Sequence, residues 1–471
     1  MKKARYITMT LLLLSLLFII SQMSPLYDVI RVDEDIFGQL GLLILNGGTP
    51  YIDLFDHKGP IIFFIYAFGE LIHFSYGVFI LQVLNLLLSF FIWYKSARLI
   101  CNRKNAVIAS FCSAMLFLAY IEGGAVTEEF NILPVSIPLY FYVKAYKKGS
   151  FTLSRFAYLI SGVCIGFCLM TRMNNMVLIA GLALYLVVLH LVCKEYKELL
   201  KALTFVILGI ALLFLPILAF FYAKAGNDGL YQLYFGTLAM NLEYMLNYKV
   251  EGLSQARNTI IFAPFVLICC LAAFKYFRDK DLIRPLGLSF LIGMATMGGA
   301  LYRHYFVVLV PVAFFAMVIL MRTFDKRVTF GLILLCCCPL AYSLSLSVAS
   351  ICRGDNRVDF TDADRVFGKM QNKESVYNYN AKELGFSLLL RSGYTQCNRV
   401  FLPFQLQVSA TLAEQEKNSL ERIAPRWVFL ERGGAVDATD RDFIESNYSL
   451  FDSISVRNYP LMYVYERSKE D

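Results

Sequence analysis

Eleven apolar runs of membrane-crossing length set the terms for this chain. A hydrocarbon core of roughly 30 Å takes about 17 to 25 residues of helix, and runs of that kind fall at 6–23, 77–95, 105–121, 127–143, 156–171, 176–193, 202–222, 259–277, 285–301, 305–321 and 328–350. Composition agrees, since 58% of the 471 residues are hydrophobic and 17% are charged, at a mean hydropathy of +0.57. No soluble domain of this length has such a balance. The expected fold class is an α-helical polytopic membrane protein with about eleven transmembrane helices.

Charge placement orients the spans, because Lys and Arg collect in cytoplasmic loops. With the N-terminus inside, the inner flanks carry 21 Lys and Arg, from Lys2, Lys3 and Arg5 to Arg322, Lys326 and Arg327. The opposite side carries 7, namely Arg31, Lys58, Arg172, Lys224, Lys249, Arg257 and Arg303. Carboxylates run the other way: of 18 before Arg353, 13 lie on the outer side, including Asp28, Glu70, Glu122, Asp228, Glu243 and Glu251. The chemistry is therefore expected outside the cytoplasm, with the chain in the cytoplasmic membrane.

The first run follows Lys2, Lys3 and Arg5 like a signal peptide, but no small-x-small cleavage site succeeds it, so it reads as an anchor. The net charge of +8 sits mostly at cytoplasmic helix ends, which excludes a nucleic-acid partner. Ten of the twelve cysteines lie in or beside spans, where a free thiol packs as a small apolar group. Cys352 and Cys397 lie beyond them and form a candidate disulfide. No Cys/His spacing resembles a zinc site, and the triplet Cys336 to Cys338 sits mid-span.

Two regions depart from the pattern of spans and turns. In the first outer loop, 24–76, Ile36, Phe37, Leu40, Leu43 and Ile44 recur at helical spacing, and Asn46-Gly47-Gly48 follows. This predicts an amphipathic juxtamembrane helix with a glycine stop. The apolar stretch from Pro60 to His73 is too short to span and reads as a re-entrant or interfacial helix. A second loop, 224–258, is rich in Tyr and Asn, including Tyr231, Tyr234, Asn241, Tyr244 and Tyr248. It suits either interfacial anchoring or a lid over a lipid-linked or glycan substrate.

After the last span the composition becomes that of a soluble domain. Strands are predicted at 375–380, 427–431 and 461–465, with helices at 382–391 and 410–423. The expected organisation is a membrane domain over 1–352 and a small extracytoplasmic α/β domain over 353–471.

With this topology, polar groups far apart in sequence share one membrane face. They are Asp33, Glu34 and Asp35; Asp53, Asp56, His57 and Lys58; Glu128, Glu129 and Asn131; Arg172, Asn174 and Asn175; and Arg303, His304 and Tyr305. A carboxylate there can take a proton from an attacking hydroxyl, and a cation can neutralise a departing phosphate. Plainer roles exist for each: a helix-start carboxylate at Glu128 or Glu129, a snorkelling Arg172, an interfacial His304 or Tyr305. His73 and His190 read as structural.

Several of these residues form short motifs: Asp-x-x-x-Phe at Asp33 to Phe37, GGTPY from Gly47 to Tyr51, DLFDHKGP from Asp53 to Pro60, TEEF from Thr127, RMN from Arg172 and RHYF from Arg303. Together they resemble the multi-spanning GT-C glycosyltransferases, in the bacterial branch related to protein O-mannosyltransferases and the lipid A aminoarabinose transferase. The resemblance implies inverting transfer of a sugar from a polyprenyl-phosphate donor to an acceptor hydroxyl on a lipid, a glycan or a protein. It implies Asp33 as general base, Asp56 as the second catalytic acid, and Lys58, Arg172 and Arg303 at the donor phosphate. Glu34, His57, Glu128, Asn174, His304 and Tyr305 would contact substrate, and a divalent cation stays open as a cofactor. Within Asp33-Glu34-Asp35 the assignment stays open by one or two residues, because three successive helix positions point in different directions. The alternatives are a transporter or flippase of lipid-linked glycans and a non-catalytic subunit of the same fold. Spans nearly free of mid-membrane charge count against transport.

Overall fold

In a computed structural model the described residues are 2–27, 29–74, 76–121, 123–247, 255–296, 303–323, 325–370, 375–379, 382–434 and 436–468. Asp28, Glu122, Tyr248, Lys249 and Glu251 lie outside them. In chain order the helices are α1 (Lys2–Ile20), α2 (Val32–Leu45), α3 (Pro60–Ile72), α4 (Gly77–Ile100), α5 (Arg103–Tyr120), α6 (Thr127–Phe130), α7 (Ile132–Lys148), α8 (Arg155–Leu169), α9 (Val177–Val192), α10 (Tyr196–Tyr234), α11 (Met240–Asn247), α12 (Gln255–Tyr276), α13 (Lys280–Thr296), α14 (Val310–Leu320) and α15 (Lys326–Arg353). The C-terminal part adds α16 (Thr361–Lys369), β1 (Val376–Tyr379), α17 (Lys382–Arg391), α18 (Pro403–Val408), α19 (Ala410–Gln415), α20 (Ser419–Ile423), β2 (Trp427–Glu431), α21 (Ala438–Asn447), β3 (Tyr448–Ile454) and β4 (Met462–Arg467).

Among the described residues each of the eleven predicted spans falls mainly on helix, and residues 297–301 of the span at 285–301 lie outside them. Among the described residues five stretches, Gly77–Ile100, Met173–Val192, Tyr196–Tyr244, Arg303–Leu320 and Lys326–Arg353, are long and apolar enough to cross a membrane. The chain is a multi-pass membrane protein with a small C-terminal sheet domain. It divides into two compact units. One holds Met1–Leu26, Phe79–Ile217 and Lys249–Arg353; the other holds Tyr27–Val78, Leu218–Tyr248 and Gly354–Asp471.

The first unit is a helix bundle centred on α14, all of whose residues are buried. That helix carries no polar side chain, and a helix apolar all round belongs inside a bundle. Small residues set the other close approaches. A Cβ on Gly162 of α8 would lie 2.1 Å from the Val206 carbonyl oxygen of α10, and one on Gly209 would lie 2.1 Å from the Leu159 carbonyl oxygen. Two glycines facing opposite ways thus let the α8 and α10 backbones touch, the usual route to helix association where no water drives it.

In the second unit, α2 packs on α3 and α17. A Cβ on Gly41 would sit 2.8 Å from the Ala67 nitrogen, so α2 and α3 also meet through a glycine. α2 stops at Asn46, and Gly47 turns the chain at φ +87°. The sheet has strand order β1-β2-β4-β3, with β1 and β2 parallel and the other pairs antiparallel. Alternate residues feed two cores: Val376, Trp427, Phe429 and Val464 with α16 and α17, and Tyr377 and Val428 with α20 and α21.

Three of the strands and the helix at 382–391 occur as predicted. The helix expected over 410–423 is broken at Asn418, which adopts a left-handed φ of +53°. β3 and α21 were not anticipated. Cys352 is exposed, Cys397 is half-buried, and both are free thiols, which corrects the candidate disulfide.

Substituting Gly162→Val or Gly209→Val forces α8 and α10 apart, and an overpacking cost of about 1–3 kcal/mol is expected. Thermal unfolding in detergent should register either change, while Gly331→Val, where a Cβ meets nothing within 4 Å, should leave the transition nearly in place.

Candidate functional site

Residues 49–59, between α2 and α3, are mostly buried yet form no regular element. Buried backbone needs partners, and here they come from distant parts of the same unit. The Arg399 guanidinium donates to the Tyr51 carbonyl through Nε and Nη2, at 2.9 and 2.7 Å, and the Phe55 N–H returns to the Arg399 carbonyl at 2.7 Å. Asn241 donates to the His57 carbonyl at 2.6 Å, and the Tyr51 hydroxyl donates to the Lys58 carbonyl at 2.6 Å. Tyr51 holds a left-handed φ of +69°, rare for a bulky residue. Its ring is fully buried against Phe55, Phe63 and Phe221, with Gly236 leaving room for its edge.

This frame presents Asp56, His57 and Lys58 as a hydrogen-bonded row. His57 Nδ1 lies 3.1 Å from Asp56 Oδ1, and Lys58 Nζ lies 3.0 Å from His57 Nε2. Gln405 of α18 donates to Asp56 Oδ1 at 3.1 Å, and Tyr244 of α11 stacks on the His57 ring with centroids 5.3 Å apart. Asp56 and His57 are buried, whereas Lys58 is half-buried. Burial alone would raise the Asp56 carboxyl, but His57 and Lys58 beside it win and hold it near 2.

The three carboxylates in the first turn of α2 have separate fates. Glu34 pairs with Arg31 at 2.7 Å. Asp35 is buried, accepts from the Arg31 N–H at 3.3 Å, and bonds the Ser387 hydroxyl. Burial, and then the neighbouring Glu34 charge, push its carboxyl well above the usual range. Asp33 is half-exposed, and among the described residues its carboxylate has neither a hydrogen bond nor an ion pair. Asp53 is exposed and caps its own turn, accepting from the Thr49 N–H at 2.7 Å.

The other unit gathers a second group of the predicted residues. Glu128, with a side chain 2% exposed, pairs with Arg172 and accepts from the Thr127 hydroxyl at 2.8 Å. The Arg172 guanidinium also lies over the Tyr305 ring, 4.2 Å from its centroid. His304 meets the edge of the same ring at 4.8 Å. Glu129 has a framework role: its Oε2 accepts from Gln82 at 3.0 Å and from the Ala125 N–H at 2.6 Å, where the chain turns through positive φ at Gly124 and Ala125. Asn131 and Thr171 bond each other at 2.7 Å. Arg303 donates to the Ala119 carbonyl and lies 6.0 Å from the centroid of the Tyr120 ring. Asn174 is exposed, and Asn175 is buried with neither end of its amide hydrogen-bonded among the described residues.

Sequence reasoning thus placed Asp56, His57 and Lys58 together, and likewise Glu128, Arg172, His304 and Tyr305. It missed Arg399 and Gln405, which carry no local motif. Asn241 and Tyr244 were visible only as part of a Tyr- and Asn-rich segment. Among the described residues no group of three His, Cys, Asp or Glu side chains is arranged to hold a metal ion.

The family described as dolichyl-phosphate-mannose-protein mannosyltransferase matches residues 57–220, a stretch that includes His57, Lys58, Glu128 and Arg172. Among solved structures, the chain resembles ArnT from Cupriavidus metallidurans, crystallised with undecaprenyl phosphate, at a TM-score of 0.63 and 13% identity over 98% of each chain. The chain has the fold of the GT-C membrane glycosyltransferases. The GT-C fold extends to an oligosaccharyltransferase from Archaeoglobus fulgidus tethered to an acceptor peptide, at a TM-score of 0.52 and 12% identity, covering 98% of this chain and 74% of that one. At such identities the structural likeness is one of fold. No curated protein sequence matches the chain.

Two outcomes follow for this GT-C framework. Arg172→Ala removes the counter-charge of a buried carboxylate and should cost on the order of 3 kcal/mol in unfolding experiments, much of it recovered by adding Glu128→Gln. Asp56, depressed to about 2 when folded, lends about 2 kcal/mol that is fully present above the unfolded value near 4 and lost as pH falls toward 2. The stability gap between the wild type and Asp56→Asn should stay level from pH 7 to 5 and begin to close below about pH 4.

Proposed function

We propose that this enzyme transfers a sugar, with inversion, from a polyprenyl-phosphate donor to an acceptor hydroxyl at the non-cytoplasmic face of the cytoplasmic membrane. Asp33 is the general base that takes the acceptor proton. Lys58 neutralises charge on the departing phosphate, and Arg172 and Arg303 are further cations for that role. Asp56 acts within the buried row that holds His57 and Lys58. Glu34, His57, Glu128, Asn174, His304 and Tyr305 are proposed substrate contacts.

The observation that carries this reading is the fate of the α2 carboxylates. A general base has to be ionised, accessible and uncommitted. Glu34 is tied to Arg31, and Asp35 is buried with a raised carboxyl. Asp33 and Glu34 are both half-exposed, and of the two only Asp33 lacks a partner among the described residues. The donor class draws support from the ArnT structure, crystallised with undecaprenyl phosphate, and from the dolichyl-phosphate-mannose family that matches 57–220. The face draws support from the 21-to-7 distribution of Lys and Arg.

The acceptor class, whether lipid A core, surface glycan or protein, is identified by mass spectrometry of envelope glycoconjugates with and without the gene. With that acceptor in proteoliposomes, Asp33→Asn should lower kcat by about 10² to 10⁴ with little change in donor KM. Glu34→Gln and Asp35→Asn should each lose far less. Full transfer by Asp33→Asn would sink the assignment.

A further inference from the structure

The row Asp56-His57-Lys58 fixes more than contact geometry, because its ends differ in what they can do. A lysine ammonium only donates, and an ionised carboxylate only accepts. Lys58 Nζ, 3.0 Å from His57 Nε2, therefore requires Nε2 to be the bare acceptor nitrogen. A neutral imidazole with a bare Nε2 carries its proton on Nδ1. That proton points at Asp56 Oδ1, 3.1 Å away. The opposite tautomer would set an Nε2–H against an ammonium and leave a bare Nδ1 facing a carboxylate. Both of those contacts would repel, and only the Gln405 amide, 3.3 Å from Nδ1, would remain as a donor to the bare nitrogen.

Gln405 completes the arrangement from the C-terminal segment. It is fully buried and its amide nitrogen donates to the same Asp56 Oδ1 at 3.1 Å; that nitrogen also lies 3.3 Å from His57 Nδ1, a donor-to-donor contact when Nδ1 carries the proton, so Gln405 acts on the ring only by fixing the Asp56 carboxylate. Tyr244 covers the ring face and Asn241 holds the His57 carbonyl. Asp56 is 3% exposed, His57 7% and Gln405 0%, so little water competes for the imidazole, while half-buried Lys58 reaches outward. Orientation of a ligand-binding group by a hydrogen-bonded carboxylate–imidazole pair is a known way to tune a site.

We propose that Asp56 and Gln405 are positioning residues that lock His57 in its Nδ1–H tautomer, so that Nε2 aims the Lys58 ammonium. The small C-terminal domain thereby sets the direction of a cation in the first loop. The consequence for ligand binding rests on the reading of Lys58 as a phosphate contact; the tautomer lock does not.

The chain has four histidines, so ¹⁵N-histidine labelling of the full-length protein in lipid nanodiscs resolves His57 once His73, His190 and His304 are replaced in turn. At neutral pH the wild type should show a protonated Nδ1 and a bare Nε2. Asp56→Asn, whose amide can donate to Nδ1, should move the proton to Nε2, and Gln405→Leu should give a mixture. Undecaprenyl phosphate, without sugar, is the binding probe. Losing the aim of a charge-assisted contact should weaken its binding about tenfold in Asp56→Asn and several-fold in Gln405→Leu. In a Lys58→Met background neither change should weaken it further.

A wild-type His57 protonated on Nε2, or on both nitrogens, overturns the lock even if the buried-site variants fail to fold. Equal losses with and without Lys58 overturn the aiming role. If the wild type has the stated tautomer yet does not bind undecaprenyl phosphate, the lock stands and the phosphate reading of Lys58 falls.

Discussion

The first loop depends on one requirement: irregular backbone taken out of water has to find hydrogen-bond partners elsewhere in the chain. Residues 49–59 lack a ladder of their own. Arg399 takes the Tyr51 carbonyl, the Arg399 carbonyl takes the Phe55 N–H, Asn241 takes the His57 carbonyl, and the Tyr51 hydroxyl takes the Lys58 carbonyl. Two of those partners come from beyond residue 240. This is why the loop, the α10–α11 segment and the C-terminal domain form a single compact unit, although hundreds of residues separate them.

The helix bundle solves a related problem with charge. Glu128 and Glu129 are adjacent and both buried, and each is satisfied differently. Glu129 is fixed by neutral donors, the Gln82 amide and the Ala125 N–H, so it shapes a turn. Glu128 faces a guanidinium that also rests on the Tyr305 ring. An arginine held between a carboxylate and an aromatic face is already oriented and partly desolvated, which lowers the ordering cost of meeting an anion.

The helices, their order and the short helices α2 and α3 were legible because apolar run length and helical periodicity are local signals. Asp56, His57 and Lys58 were legible as one group, since the three are consecutive, but the hydrogen bonds between their side chains were not. Gln405 was not: nothing about a glutamine in a short C-terminal helix says which carboxylate it will meet 349 positions away. The choice within Asp33-Glu34-Asp35 was illegible for a similar reason, because it turns on Ser387 and Arg31 as partners. β3 escaped because its exposed positions blur the alternation that marks a half-buried strand.

One local irregularity bears on all of this. Between α10 and α11 the chain makes a π turn at Phe235–Ala239, which holds one residue more than α geometry would. Everything after it is therefore rotated by about 100° relative to an uninterrupted α-helix. Asn241 and Tyr244 lie just beyond that point, and they reach His57, while Tyr231 and Tyr234, just before it, are exposed. The extra residue works as a phase shifter: beyond the kink at Ala225 and Gly226, it lets the helical segment show exposed tyrosines before the π turn and a polar grip on the imidazole after it. An insertion or deletion of one residue here would barely change composition or hydropathy, yet it would swing that grip off the histidine.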